Sequence, residues 1–186
     1  MCQLKSVLIL KDRVFCPDYD SHDEMLRELG IKDTRENAER LFVRAEITPD
    51  DIAIYSPVSA WKYCVDQDII PDWYVAEVDE ARARKAVEEW ANVHVFNEGY
   101  HEAKNGRYIL FGSASAKLYD TASAKLFGSA SAELYDSASA TLYGSATGII
   151  PIWSSNKGDK IILNDVAVLV NHRDGIIKAW GKEIKR

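Results

Sequence analysis

Between residues 110 and 149 apolar and polar positions alternate without a slip, in five octads: LFGSASAK, LYDTASAK, LFGSASAE, LYDSASAT and LYGSATGI. Ala116, Leu118, Ala122, Ala124, Leu126, Ala130, Ala132 and Leu134 share one parity, and Lys117, Tyr119, Ser123, Lys125, Phe127, Ser131, Glu133 and Tyr135 share the other. A period of two is that of a strand. A helix is excluded by the Ser, Thr, Gly and Asp content and because an eight-residue apolar period drifts off any single helix face. The lysine and glutamate side must face water, and the Gly/Asp-Ser/Thr pair in each octad predicts a turn.

One octad cannot offset the entropy of ordering its backbone by burying one leucine and two alanines. Copies that hydrogen-bond to one another do so collectively, which is the logic of a repeat solenoid. The third position alternates Gly112, Asp120, Gly128, Asp136, Gly144, so two octads, 16 residues, suggest one two-sided coil. The favoured architecture is a small β-solenoid; the alternative is an antiparallel β-meander of the same strands.

The front of the chain reads differently. Apolar residues 6–10 and the RVFC that follows LKD predict a strand and a hairpin, stopped by Pro17. Ser21 with Glu24 forms a capping-box pattern ahead of Met25, Leu26 and Leu29, and Gly30 stands where a helix terminator belongs. LFVRAEI predicts a strand ending at Pro49, and Ser56-Pro57 predicts the start of a helix through VSAWKYCVDQD. The longest helix is expected over about residues 79–92, where Ala83, Ala86, Val87, Trp90 and Ala91 fall at helical spacing and Glu80 pairs with Arg84. Beyond the octads, three short β-runs follow, with Asn164-Asp165 and Asp174-Gly175 as hairpin corners. The fold expected is an α+β N-terminal domain (1–100), an octapeptide-repeat β-solenoid (101–149) and a C-terminal β-hairpin or meander cap (150–186) that blunts the last edge.

Composition adds an asymmetry. Residues 1–100 carry 21 acids against 12 Lys/Arg, and the remainder 8 against 11. The acidic front and the dispersed basic surplus behind it argue against direct nucleic-acid binding. No run reaches the ~18 apolar residues of a membrane span, and SVLIL is followed at once by KDR without a cleavage-like tail, so a cytoplasmic protein without a membrane anchor is expected. Cys2, Cys16 and Cys64 are odd in number and lack ligand spacing, which predicts reduced thiols.

Catalytic patterns are absent: there is no glycine-rich phosphate loop, HExxH or GxSxG, and His22, His94, His101 and His172 are scattered. Cys16 with His22 could supply a nucleophile and a base, but nothing orients them, and a structural thiol is the simpler reading. Asp66, Asp68 and Asp72 could face a hard cation or act as an acid/base pair; helix caps and solvated loop acids explain them as well. No catalytic residue, cofactor or metal is therefore assigned. The aromatic positions Phe111, Tyr119, Phe127, Tyr135 and Tyr143 form one or two ladders, read as an interaction surface for a second copy of the chain or a partner protein. Stacking along the solenoid edge is the plainer alternative.

The chain from Ser6 to Trp180 resembles a group of accessory proteins carried by bacteriophages and prophages. VFCPDYDSHDEM, VDQDIIPDWYV, octads of the AYGNSTV kind and the closing AVLVNHRDGIIKAW carry the likeness. Here the octads read LYDSASA, so this chain has a smaller, alanine-lined core. The resemblance implies a small protein at work inside a bacterial host and transfers no catalytic residue. The function expected is a non-enzymatic interaction protein, an inhibitor of a host anti-phage defence protein. The alternatives are an oligomeric sponge for a nucleotide signal, for which Arg173, Lys178 and the tyrosines are the candidates, and a virion or assembly component.

Overall fold

The computed structural model describes residues 5–49, 57–179 and the backbone of 182–185. The chain divides between Val93 and His94 into two compact units, so the octads and the C-terminal segment share one unit that begins a few residues ahead of the expected start at 101. The first unit is built on an antiparallel sheet in the order β2-β1-β3-β4, from β1 (Lys5–Leu10), β2 (Val14–Phe15), β3 (Phe42–Thr48) and β4 (Lys62–Val65). All six residues of β1 are buried. Leu8, Leu10 and Phe42 pack with Met25 and Leu26 of α1 (His22–Glu28) and Ala38 of α2 (Arg35–Arg40). Val7, Ile9, Val43, Ala45 and Ile47 are fully buried on the opposite parity. On that parity the Lys5 ammonium lies 4.6 Å from the ring centre of Trp90 in α3 (Ala76–His94). Lys5 is itself fully buried, donates to the Pro17 and Tyr19 carbonyls and sits 3.7 Å from Asp20, the pairing that a buried ammonium requires.

The caps follow the residues. Ser21 Oγ accepts from the Glu24 amide at 3.2 Å, and Gly30, at φ +68°, ends α1. The Gly30 amide donates to Arg27 and the Ile31 amide to Leu26, which together make a Schellman cap. Glu80 and Arg84 pair at 2.7 Å as expected, and the guanidinium reaches on to the Val58 and Trp61 carbonyls. The helix expected after Pro57 is a single 3-10 turn, Val58–Ala60, followed by β4; its N-cap at Ser56 lies outside the described residues. Tertiary pairing with β3 overrides the apparent helix start, and Tyr63, Cys64 and Val65 are residues that suit a strand. Helix α2 went unforeseen because it buries only Ala38; its signal is the Thr34 cap, whose hydroxyl accepts from the Asn37 amide.

The second unit is the solenoid. One face carries β5 (Val95–Phe96), β7 (Arg107–Leu110), β9 (Ser123–Leu126), β11 (Ser139–Leu142) and β13 (Ile161–Leu163). The other carries β6 (Tyr100–Ala103), β8 (Ser115–Leu118), β10 (Ser131–Leu134), β12 (Thr147–Ile150) and β14 (Val168–Asn171). All pairs between coils are parallel, and Ser131 opposite both Ser115 and Thr147 sets the step at two octads. The antiparallel meander is thereby excluded for the repeats. Antiparallel pairing returns only at the end, where β15 (Ile176–Ala179) and β16 (Lys182–Lys185) continue from β14 and cover that sheet's edge, with Asp174-Gly175 in the hairpin corner. Asn164-Asp165 is not a hairpin: β13 and β14 belong to different faces, and the pair forms one more solenoid corner.

Every inward-parity residue predicted from the octads is buried, and the column Leu110, Leu118, Leu126, Leu134, Leu142 is at most 1% exposed. At each corner the amide of the alanine donates to the carbonyl of the aromatic residue three positions before it, at 2.9 to 3.3 Å. The residue after the aromatic has positive φ, from 48° at Asp120 to 63° at Gly128, which is the sign pattern of a type II′ turn. Gly112 has a second reason to be glycine, since a Cβ there would lie 2.5 Å from the Asn97 carbonyl oxygen.

The last corner breaks the pattern and is repaired by side chains. The amide of Tyr135 donates to Leu118, so the equivalent residue one coil on would donate to Leu134; that residue is Pro151, which has no N–H. The buried Ser154 hydroxyl takes the Leu134 carbonyl instead, at 2.9 Å. Within the five-residue insertion that follows, the Asn156 side-chain amide donates to the Ala138 carbonyl at 2.7 Å, as the Ser139 amide does to Ala122 one coil earlier. Ser154→Ala and Asn156→Leu should therefore each lower the unfolding free energy by about 1–3 kcal/mol in urea titrations, since each strands a buried carbonyl. Ser155→Ala, at an exposed neighbour, should change it by less than about 0.5 kcal/mol.

Candidate functional site

The corner geometry decides where the aromatic residues go. They follow the strands directly, so their rings lie along the solenoid's two edges and not on its sheet faces. Corners leaving the first-named sheet carry Phe111, Phe127 and Tyr143; those leaving the other carry Tyr119 and Tyr135. Phe111 is buried and the other four are half-buried. Tyr119 stacks on Tyr135 with centroids 4.8 Å apart, and Phe127 on Tyr143 at 4.7 Å, spacings set by the separation of hydrogen-bonded strands. There are thus two ladders, each ring covering a flank of the next.

Polar groups finish the edges. The Asp136 carboxylate accepts from the Asp120 amide at 3.5 Å and from Ser155 Oγ at 3.1 Å, and the Asp165 carboxylate accepts from the Gly144 amide at 3.0 Å. The aspartates therefore cap the coil before them. On the outer sheet face Lys117 lies 3.7 Å from Glu133, which also accepts from the Tyr135 hydroxyl at 2.7 Å. Partial burial and then that hydrogen bond to a carboxylate push the Tyr135 phenol up to about 12. Arg173 reaches the same edge and donates to the Ser155 carbonyl at 3.2 Å, whereas Lys178 lies on β15. An open cleft of about 270 Å³ beside this edge is lined by Asp136, Ser137, Ser155, Asn156, Lys157, Asp159 and Lys160, a set in which two lysines face two aspartates.

The last coil presents what the ladders do not. Aligned on the octads, Pro151, Ile152 and Trp153 occupy the places held elsewhere by an aromatic, a Gly or Asp, and a Ser or Thr. Ile152 and Trp153 are exposed, Trp153 by 79%, as are Ile162 and Val166 of the same coil. The sequence reading missed these residues. Their signal was available in the octad alignment itself: continued past Ile150, it sets large apolar side chains into positions reserved for small polar ones.

In the first unit the candidate groups separate and recombine. Cys16 is not brought to His22: the His22 ring meets the Ala45 carbonyl through Nε2 at 3.3 Å and Asp66 through Nδ1 at 3.5 Å. Burial pushes the Cys16 thiol up to about 11, against the opposing pull of the Lys5 ammonium, so it is protonated at neutral pH and a poor nucleophile. Asp68 and Asp72 are exposed and do not join Asp66; the acid that does is Glu46. No described helix is long and apolar enough to cross a membrane. Comparison with known proteins gives no matching family model, no matching curated relative and no matching solved structure.

The thiols provide a check. Iodoacetamide labelling near pH 8 followed by peptide mapping should modify the exposed Cys64 and leave Cys16 almost untouched, because only about one Cys16 in a thousand is then thiolate. As the unfolded chain releases this proton near pH 9 and the folded one near 11, the Cys16 contribution to stability should fall as pH rises through that window.

Proposed function

We propose that this is a non-enzymatic binding protein that engages another protein through the last coil and adjoining edge of its solenoid. The observation that carries this reading is Trp153, displayed on a rigid corner where the repeat elsewhere places Ser or Thr. Burying such a ring against solvent-excluding neighbours is among the larger single gains available to an interface, and exposure without a partner has a solubility cost. The stacked ladders hold the corner backbones in register, so the presented side chains lose little entropy on binding. The excess of acids over bases in residues 1–100 would steer the approach of a basic partner.

The resemblance to bacteriophage accessory proteins supports a host protein as that partner and inhibition of a host defence protein as the outcome, acting in the host cytoplasm. A homo-oligomer through the same coil is a compatible assembly. The nucleotide-sponge reading rests on the cleft beside Arg173, where Lys157 and Lys160 are offset by Asp136 and Asp159, a balance poorly suited to a phosphate.

Affinity capture from bacterial lysate should recover one partner at about one-to-one stoichiometry. Trp153→Glu should reduce that recovery by at least about tenfold while the circular dichroism stays unchanged. Undiminished capture by Trp153→Glu and by Tyr135→Ala would overturn the assignment of the surface.

A further inference from the structure

We infer that His22, Glu46 and Asp66 form a binding site for one divalent transition-metal ion of the zinc class. Three separate elements supply the donors: His22 opens α1, Glu46 lies on β3 and Asp66 immediately follows β4. One donor atom from each lies within 4.8 Å of the others.

The histidine decides the chemistry. Its side chain is only 7% exposed, and its Nε2 faces the Ala45 carbonyl, which can only accept; Nε2 therefore carries the proton. A backbone carbonyl in this position is the usual second support of a metal-binding imidazole, since it fixes the ring and directs the other lone pair outward. That lone pair, on Nδ1, faces Asp66 Oδ2 at 3.5 Å. Two acceptors do not approach unless something positive lies between them. The separation is that of two donors each about 2.1 Å from a shared tetrahedral ion.

An imidazole with two carboxylates suits zinc or cobalt, while the nitrogen donor disfavours magnesium and calcium. Asp66 is 58% exposed, so water can complete the coordination sphere from the open side. When filled, the site would tie the start of α1 to the middle of the sheet and to the chain leaving it. This inference does not depend on the partner surface of the second unit.

Titration of the intact, metal-free protein with Co²⁺ should give visible absorption bands that saturate at one equivalent, and Zn²⁺ should displace them while Mg²⁺ does not. Asp66→Asn and Glu46→Gln should each weaken Zn²⁺ binding by at least about tenfold. Asp68→Asn should leave it unchanged. Cys64→Ser, which removes the free thiol on the strand partner of Glu46, should do the same. The alternative occupant of the gap is a proton on Nδ1, making an imidazolium–carboxylate pair. No saturable Co²⁺ or Zn²⁺ binding, or binding that survives both carboxylate substitutions or is lost in Cys64→Ser, would overturn the site.

Discussion

Each solenoid coil depends on its neighbour for backbone hydrogen bonds. A four-residue strand has no stability of its own, and a core of one leucine column with alanines beside it is too thin to hold a single coil shut. Stacking in parallel at a fixed step satisfies the strands and the corners together. Once that step is imposed, much of the composition follows from it. Leucine recurs because the column must be continuous. Alanine recurs because the two sheets lie close, and the limit is visible at Gly148, where a Cβ would come within 3.2 Å of Leu169 as the larger side chain enters from the next coil. Glycine or aspartate recurs because the corner requires positive φ, and of the two only aspartate can reach back to an amide in the preceding coil.

The same dependence explains the irregular last coil. Pro151 removes one donor that the ladder requires and the insertion displaces another, and two side chains that mimic backbone groups, Ser154 and Asn156, replace them in turn. With those carbonyls satisfied by side chains, Ile152 and Trp153 stay exposed on an outward-facing corner.

Repetition is what made the solenoid legible. Five copies of one octad state the parity and the turn positions redundantly, so the burial of Ala116 through Leu134 follows from the alternation alone, whereas the step of two octads over three is set by the strand register. The first unit has no redundancy, and its legibility varies with how local the forces are. The Ser21 cap and the Gly30 stop depend on residues within one turn and were readable. Strand β4 was not, because its state is set by pairing with β3, 18 residues earlier at the rung from Cys64 to Glu46. The His22, Glu46 and Asp66 cluster was hidden for the same reason: the Asp66-Asp68-Asp72 spacing suggested neighbours in sequence, and the sheet supplied different neighbours. The aromatic ladders were foreseen as ladders. The alternative of rings stacked along the solenoid edge is the arrangement observed, because the strand ends at the leucine, one residue before each ring.

The alternation of glycine and aspartate at successive corners also sets how this chain can change in length. Removing or adding one octad would send every later strand to the opposite sheet, carrying aspartate to the edge where Gly112 packs under the Asn97 carbonyl and transferring the β14 cap to the wrong face. Two octads at a time would leave both edges and the cap as they are. Solenoids of this design are therefore quantised in their number of octads: corners can carry extra residues, but octads are gained or lost only by whole coils of 48 base pairs, about 4.8 Å of added height for each.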